Sequence, residues 1–171
     1  MTKILICDDE GIVRQSLQFM IEKAFGDECE LEFARNGRTA IELAESFHPD
    51  IILMDIQMPG INGIEAMQEI RREDKHVVFI VLTAYDKFEY TQKSIDIGVL
   101  SYLTKPINKD VLTETLRKAM KQVKDRREKA RNDLRIKEKL EAVVPMIESG
   151  FVYSVLMEGS GKEEYAGYRD L

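Results

Sequence analysis

Cysteine is scarce. Cys7 and Cys29 are the only two in 171 residues, so the chain holds neither a disulfide framework nor a CxxC metal site. Cys7 sits in an apolar run and reads as a reduced, buried thiol. Long apolar stretches are lacking as well. None is long enough to span a bilayer, and MTKILICDDE has no hydrophobic signal core ahead of its acids. An excess of positive charge is also missing. The net charge is −6, so the chain as a whole is a poor counterion for DNA. Together these absences read as a cytoplasmic protein with no membrane partner. What is present is 44% apolar and 33% charged, the composition of a folded globular protein rather than a disordered one. The length suits one domain plus an appendage.

Five apolar runs suit buried strands: KILIC, ELEFA, IILMD, VVFIVLT and SYLTK. The second alternates apolar and polar residues, as an edge strand does. Between the runs lie stretches of helical period. Val13, Leu17, Met20, Ile21 and Ala24 share one face of VRQSLQFMIEKAF. Ala40, Ile41, Ala44 and Phe47 do so in GRTAIELAESF, and Ile64, Met67 and Ile70 in NGIEAMQEIRRE. KFEYTQKSIDIG offers Phe88, Thr91 and Ile95 and stops at Gly98. His48-Pro49-Asp50 breaks the chain before the third strand. Strict alternation of this kind predicts an α/β fold, an open parallel sheet with helices on both faces. In such sheets, ligands sit at the carboxyl ends of the strands, where strand order reverses.

Chemistry-bearing residues collect at those ends. Asp8 and Asp9 close the first strand, Asp55 the third, Thr83 the fourth and Lys105 the fifth. Three carboxylates in one pocket do not all stay ionised without compensation. A hard divalent cation supplies it, and magnesium favours one or two carboxylates plus phosphate oxygens. A carboxylate beside magnesium, with a lysine and a hydroxyl aimed at the same place, suits phosphoryl transfer. Asp55 is then the nucleophile that forms an acyl phosphate. Magnesium and Lys105 neutralise the phosphoryl oxygens, and Thr83 donates a hydrogen bond to one of them.

Read in order, ICDDE, MDIQMPGINGIE, VLTAYD and SYLTKP resemble the receiver domain of bacterial two-component response regulators over residues 1 to 123. The resemblance implies a flavodoxin-like, doubly wound sheet of five strands in the order 2-1-3-4-5. It implies that Asp55 takes phosphate from a sensor histidine kinase. Asp9 and Asp55 are then direct magnesium ligands with the backbone carbonyl of Gln57, and Asp8 acts mainly through water. A cis peptide is implied between Lys105 and Pro106. Thr83 and Tyr102 match the family's switch pair, which alters the face made by the fourth helix and fifth strand. Gln57 and Tyr85 flank the path of hydrolytic water, and a bulky Tyr85 implies slow autodephosphorylation. No enzymatic activity beyond the chain's own phosphorylation and dephosphorylation follows.

Gly60 and Gly63 in MPGING read as turn glycines. The HPD triplet resembles a co-chaperone motif but falls in a helix-to-strand loop. GSGK lacks the earlier glycine of a phosphate-binding loop, and Glu163 stands where Ser or Thr should follow the lysine.

After Asn108 the composition changes. Glycine is absent from Lys109 to Glu148, and Pro145 is the only proline there. The last domain helix is expected to continue as a long C-terminal helix, a linker over residues 124 to 148. Leu116, Met120, Val123, Arg127, Ala130 and Leu134 follow a 4-3-4-3-4 spacing, and Ile136, Leu140, Val143 and Ile147 form a second, offset register. The seam is imperfect but allows a homodimeric coiled coil. A dimer through the fourth helix and fifth strand is the other option. The stretch KEKLEAVVPMIESGFVYSVLMEG resembles the segment after the receiver in YesN-type regulators of the AraC class. That implies that residues 149 to 171 start a further linker region, and that DNA is reached only through a C-terminal domain outside this sequence.

Two other functions fit parts of the pattern. A magnesium-dependent aspartyl-phosphate phosphohydrolase of the haloacid dehalogenase type needs DxD after the first strand, and Glu10 occupies the matching third position. A phosphorylation-independent dimerisation module would not need the intact acids, Thr83 and Lys105.

Overall fold

A computed structural model describes residues 1–84 and 96–158, with residues 144–158 as helical backbone only. The element order is β1 (Thr2–Cys7), α1 (Gly11–Phe25), a 3-10 turn (Gly26–Glu28), β2 (Cys29–Ala34), α2 (Gly37–Phe47), β3 (Ile51–Asp55), α3 (Gly63–Glu73), β4 (Val78–Thr83), β5 (Val99–Thr104) and α4 (Lys109–Glu158). The helix expected over KFEYTQKSIDIG lies largely outside the described residues, and so do Tyr85, Phe88, Thr91 and Ile95.

All five strands pair in parallel, in the order β2-β1-β3-β4-β5. Strand alternation sends successive side chains to opposite faces, and here each face has its own core. Leu5, Cys7, Ile52, Met54, Phe79 and Val81 pack with Ala40 of α2 and Ile64, Met67 and Ile70 of α3. Ile4, Ile6, Ile51, Leu53, Ile80 and Leu82 pack with Leu17 and Ile21 of α1 and with Leu112, Leu116, Ala119 and Val123 of α4. Each Leu, Ile, Val, Met or Phe among them contributes about 1.5–3 kcal/mol on burial. The near-continuous apolar character of β3 and β4 follows, since both faces are covered. β2 alternates because it is an edge strand. Cys7 is a free, fully buried thiol, and burial holds its pKa far above the usual range.

Caps place the helix starts. Asn36 accepts from Thr39 N–H, and Asn62 accepts from Glu65 N–H. At the end of α2, His48 takes a left-handed conformation (φ 52°) that turns the chain into Pro49 and β3.

One sequence expectation needs correction. Gly60 is a turn glycine, with φ 77°, but Gly63 is not. It opens α3, and a Cβ there would collide with the Asp55 carbonyl oxygen. Its role is close approach, not turn geometry. The last helix runs from Lys109 to Glu158. A single interior glycine, Gly150, costs about 1 kcal/mol relative to alanine, too little to end a helix by itself.

The chain divides into two compact units, Met1–Val123 and Lys124–Leu171. Among the described residues, no helix is long and apolar enough to cross a membrane.

Candidate functional site

The strand order reverses between β1 and β3; β1 runs directly into Asp8 and Asp9, and β3 ends at Asp55. Sheet hydrogen bonding continues one residue past each strand: Asp8 N–H donates to Ala34 O at 3.0 Å, and Ile56 N–H to Leu82 O at 3.2 Å. The backbone carrying Asp8 and Asp55 is therefore held by the sheet rather than by a free loop. Asp8 is fully buried and Asp55 is 3% exposed, whereas Asp9 faces solvent. One carboxylate oxygen from each of Asp8, Asp9 and Asp55 falls within a 4.8 Å group.

The two buried carboxylates are used in the same way. Asp8 Oδ1 accepts from Glu10 N–H at 2.9 Å, and Asp55 Oδ1 accepts from Gln57 N–H at 3.2 Å. Each thereby orders the chain leaving its own strand. Their Oδ2 atoms turn to one cation, Lys105 Nζ, at 2.7 Å from Asp8 and 3.2 Å from Asp55. Glu10 Oε1 lies farther from it, at 3.9 Å. Apart from the Lys105 ammonium, Asp8 Oδ2 has no partner among the described residues.

Charges in this cleft are out of balance. Burial first, and then the Asp8 charge, push the Asp55 carboxyl up to about 6, although Lys105 and the Gln57 N–H pull the other way. Burial works against the Lys105 ammonium, but Asp8 and Asp55 outweigh it and hold its pKa above the ordinary lysine value. One lysine does not compensate two desolvated carboxylates with a third close by.

Thr83 ends β4, half-buried, in register with Thr104 of β5, and its carbonyl accepts Lys105 N–H at 2.8 Å. That bond carries the β4–β5 ladder up to the lysine. The Lys105–Pro106 peptide is cis. Tyr102 is half-buried opposite Val81, against the core beneath α2 and α3. The Gln57 side chain is exposed. Tyr85 falls outside the described residues.

Three contributors were not apparent from the sequence. Arg14, in the first turn of α1, donates Nη1–H to the Asp8 carbonyl oxygen at 2.7 Å. Glu10 adds a further carboxylate near Lys105. Gly63 lets α3 start directly beneath Asp55, and its N–H donates to Ile56 O at 2.9 Å. Only the position of Gly63, just after the capping Asn62, hinted at its role.

Comparison with known proteins agrees with this geometry. The chain is 38% identical to Regulatory protein AtoC of Escherichia coli (strain K12), over 69% of this chain and 25% of AtoC. It is 37% identical to Transcriptional regulatory protein YdfI of Bacillus subtilis (strain 168), over 71% of this chain and 56% of YdfI. It thus spans between a quarter and about half of these relatives. Among solved structures it resembles the receiver domain of AraT, a response regulator from Geobacillus stearothermophilus. The TM-score is 0.67 and the identity 32%, over 74% of this chain and 98% of that domain. The response regulator receiver domain model matches residues 4–117, a span that holds every residue of the acidic cleft, so the chain belongs to the receiver domain family of two-component response regulators.

Proposed function

We propose that Asp55 accepts a phosphoryl group from a sensor histidine kinase, with Mg2+ bound at Asp8, Asp9 and Asp55, and that phosphorylation of Asp55 changes an output surface. One observation carries this reading. Two buried carboxylates share a single lysine, and Asp55 is pushed up to about 6 by burial and Asp8. At neutral pH it is mostly the ionised nucleophile, yet it lacks the compensating positive charge that a divalent cation would bring.

The donor set fits the metal. Three carboxylate oxygens lie within 4.8 Å of one another, and Asp8 Oδ2 has only the ammonium as a partner among the described residues. Oxygen-only ligation by a few carboxylates is what magnesium takes. The Gln57 carbonyl is the further protein ligand in this reading. Magnesium, when bound, neutralises charge on the phosphoryl oxygens.

In the transfer step an Asp55 carboxylate oxygen attacks phosphorus. The P–N bond to the donor imidazole breaks, and its electron pair stays on the imidazole nitrogen, which takes a proton. Lys105, already within 3.2 Å of Asp55, moves its ammonium onto the new phosphoryl oxygens. The Thr83 hydroxyl donates to another. Asp8 and the Asp55 carbonyl-side contacts stay in place because the sheet and α3 hold them. In hydrolysis water attacks phosphorus, the bond from phosphorus to the Asp55 oxygen breaks, and inorganic phosphate leaves the restored carboxylate, with Gln57 and Tyr85 controlling access. The chain's chemistry ends there, with no turnover of an external phosphomonoester. Thr83 and Tyr102 carry the change to β5 and the helix before it. Since AtoC and YdfI are named regulatory proteins, the output in this reading is transcriptional, through an AraC-type DNA-binding region outside these residues.

The test is incubation with Mg2+ and a small acyl-phosphate donor, read by intact mass. Wild type gains one phosphoryl group and Asp55→Asn gains none. A gain that persists in Asp55→Asn, or none in wild type, refutes the assignment.

A further inference from the structure

Away from the acidic cleft, at the opposite ends of the strands, α2 and α3 enclose a groove of about 240 Å3. Ile41, Ala44, Ile70 and Val77 line it with apolar surface, and Glu45 and Glu73 stand among its carboxylates. Among the described residues, no lysine or arginine lines it. The volume is below the roughly 300–1,000 Å3 typical of small-molecule sites. It suits a few side chains from a macromolecule instead.

The second unit presents the complementary pattern. Ile136, Leu140 and Val143 are 57%, 36% and 43% exposed. Their 4-3 spacing aligns them on one face of α4. Lys137 and Lys139 stand beside them, both exposed. A self-paired coiled coil suits this stripe poorly. The same register continues back through Asp133 and Lys129, which places charges where apolar residues belong.

We propose that the lysine-flanked stripe of α4 in one copy docks into the glutamate-rimmed α2–α3 groove of a second copy. The mode is an amphipathic helix laid in an apolar groove. The apolar residues supply contact, and the opposed charges set orientation and partner choice. The proposal is independent of Asp55 chemistry.

The experiment is sedimentation velocity of the full, unphosphorylated chain over a concentration series at low and high salt. Wild type should show concentration-dependent association that weakens with salt. Two charge-swapped chains are compared with it: Glu45→Lys/Glu73→Lys, and Lys137→Glu/Lys139→Glu. Each alone should associate about tenfold or more weakly, because two opposed pairs become like-charged. Mixed in equal amounts, they should associate again, since each then offers what the other lost. That rescue also shows both variants to be folded. A monomeric wild type at every concentration overturns the proposal. So does undiminished association of Glu45→Lys/Glu73→Lys, which would point to helix-on-helix pairing. A mixture that stays as weak as its parts overturns it as well.

Discussion

Gly63 stands so close to Asp55 that a Cβ at position 63 would overlap the Asp55 carbonyl oxygen. The start of α3 and the end of β3 are one packed unit, and the Gly63 N–H bond to Ile56 O closes it. Gly63→Ala must push the two apart. Overpacking of this kind costs about 1–3 kcal/mol. Urea unfolding should show a lower midpoint at unchanged slope. Phosphorylation of Asp55 by an acyl-phosphate donor should slow under conditions where the variant is still fully folded. An unchanged rate would separate the packing from the chemistry.

The Asp55 carboxyl, raised from 3.8 to about 6, gives stability a pH dependence of definite sign. The folded state binds this proton more tightly than the unfolded chain does. The contribution is fully present below about pH 4 and is lost as pH rises through about 6. The displacement is worth roughly 3 kcal/mol. In EDTA, Asp55→Asn, which has no such proton, should melt above wild type at pH 7.5. That advantage should shrink toward pH 4. Thermal melts across this range check it, and a constant difference would contradict the cause given for the shift.

Lys105 is the cation shared by the Oδ2 atoms of Asp8 and Asp55. Lys105→Met keeps an unbranched apolar stem and removes the ammonium, leaving two buried carboxylates facing each other. Loss of one partner of a buried pair costs about 3–5 kcal/mol. In EDTA at pH 7.5 the variant should be destabilised by about that much. Acid that protonates Asp55 should narrow the gap, and so should added Mg2+. Chemical denaturation at two pH values, with and without Mg2+, reads both effects.

Arg71 ties the end of α3 to the approach to β5. Its Nε donates to Ile97 O at 3.0 Å and its Nη1 to Val77 O at 2.7 Å, while the guanidinium lies 4.6 Å from the Phe79 ring centre. Burial lowers its pKa from the usual arginine value. Arg71→Ala should cost about 2–3 kcal/mol, the loss of charged donors to buried carbonyls. Arg71→Lys should recover little, since an ammonium cannot reproduce the planar fork. Hydrogen exchange should rise at the start of β5 in both variants. Protection there equal to wild type would sink this role.

Much of the fold could be read from local pattern. The parallel strands run as unbroken apolar segments because both sheet faces are covered, and β2 alternates because it lies at an edge. Helix faces such as Ile64, Met67 and Ile70 were visible from period alone, and all three are buried. Asp8, Asp9, Asp55, Thr83 and Lys105 could be assigned to one sheet edge because each ends or follows a strand and parallel strands end together. The linear order was therefore enough to specify the strands, the helix faces and the acids' common edge. Partner choice within that edge was not legible. That both Oδ2 atoms share Lys105, that Arg14 holds the Asp8 carbonyl, and that Gly63 must lack a Cβ depend on distances between segments far apart in the chain. The α2–α3 groove with its acidic rim likewise exists only once two helices lie side by side. Periodicity reports which way a side chain faces. It does not report what stands opposite, and in this protein only the tertiary structure decided that.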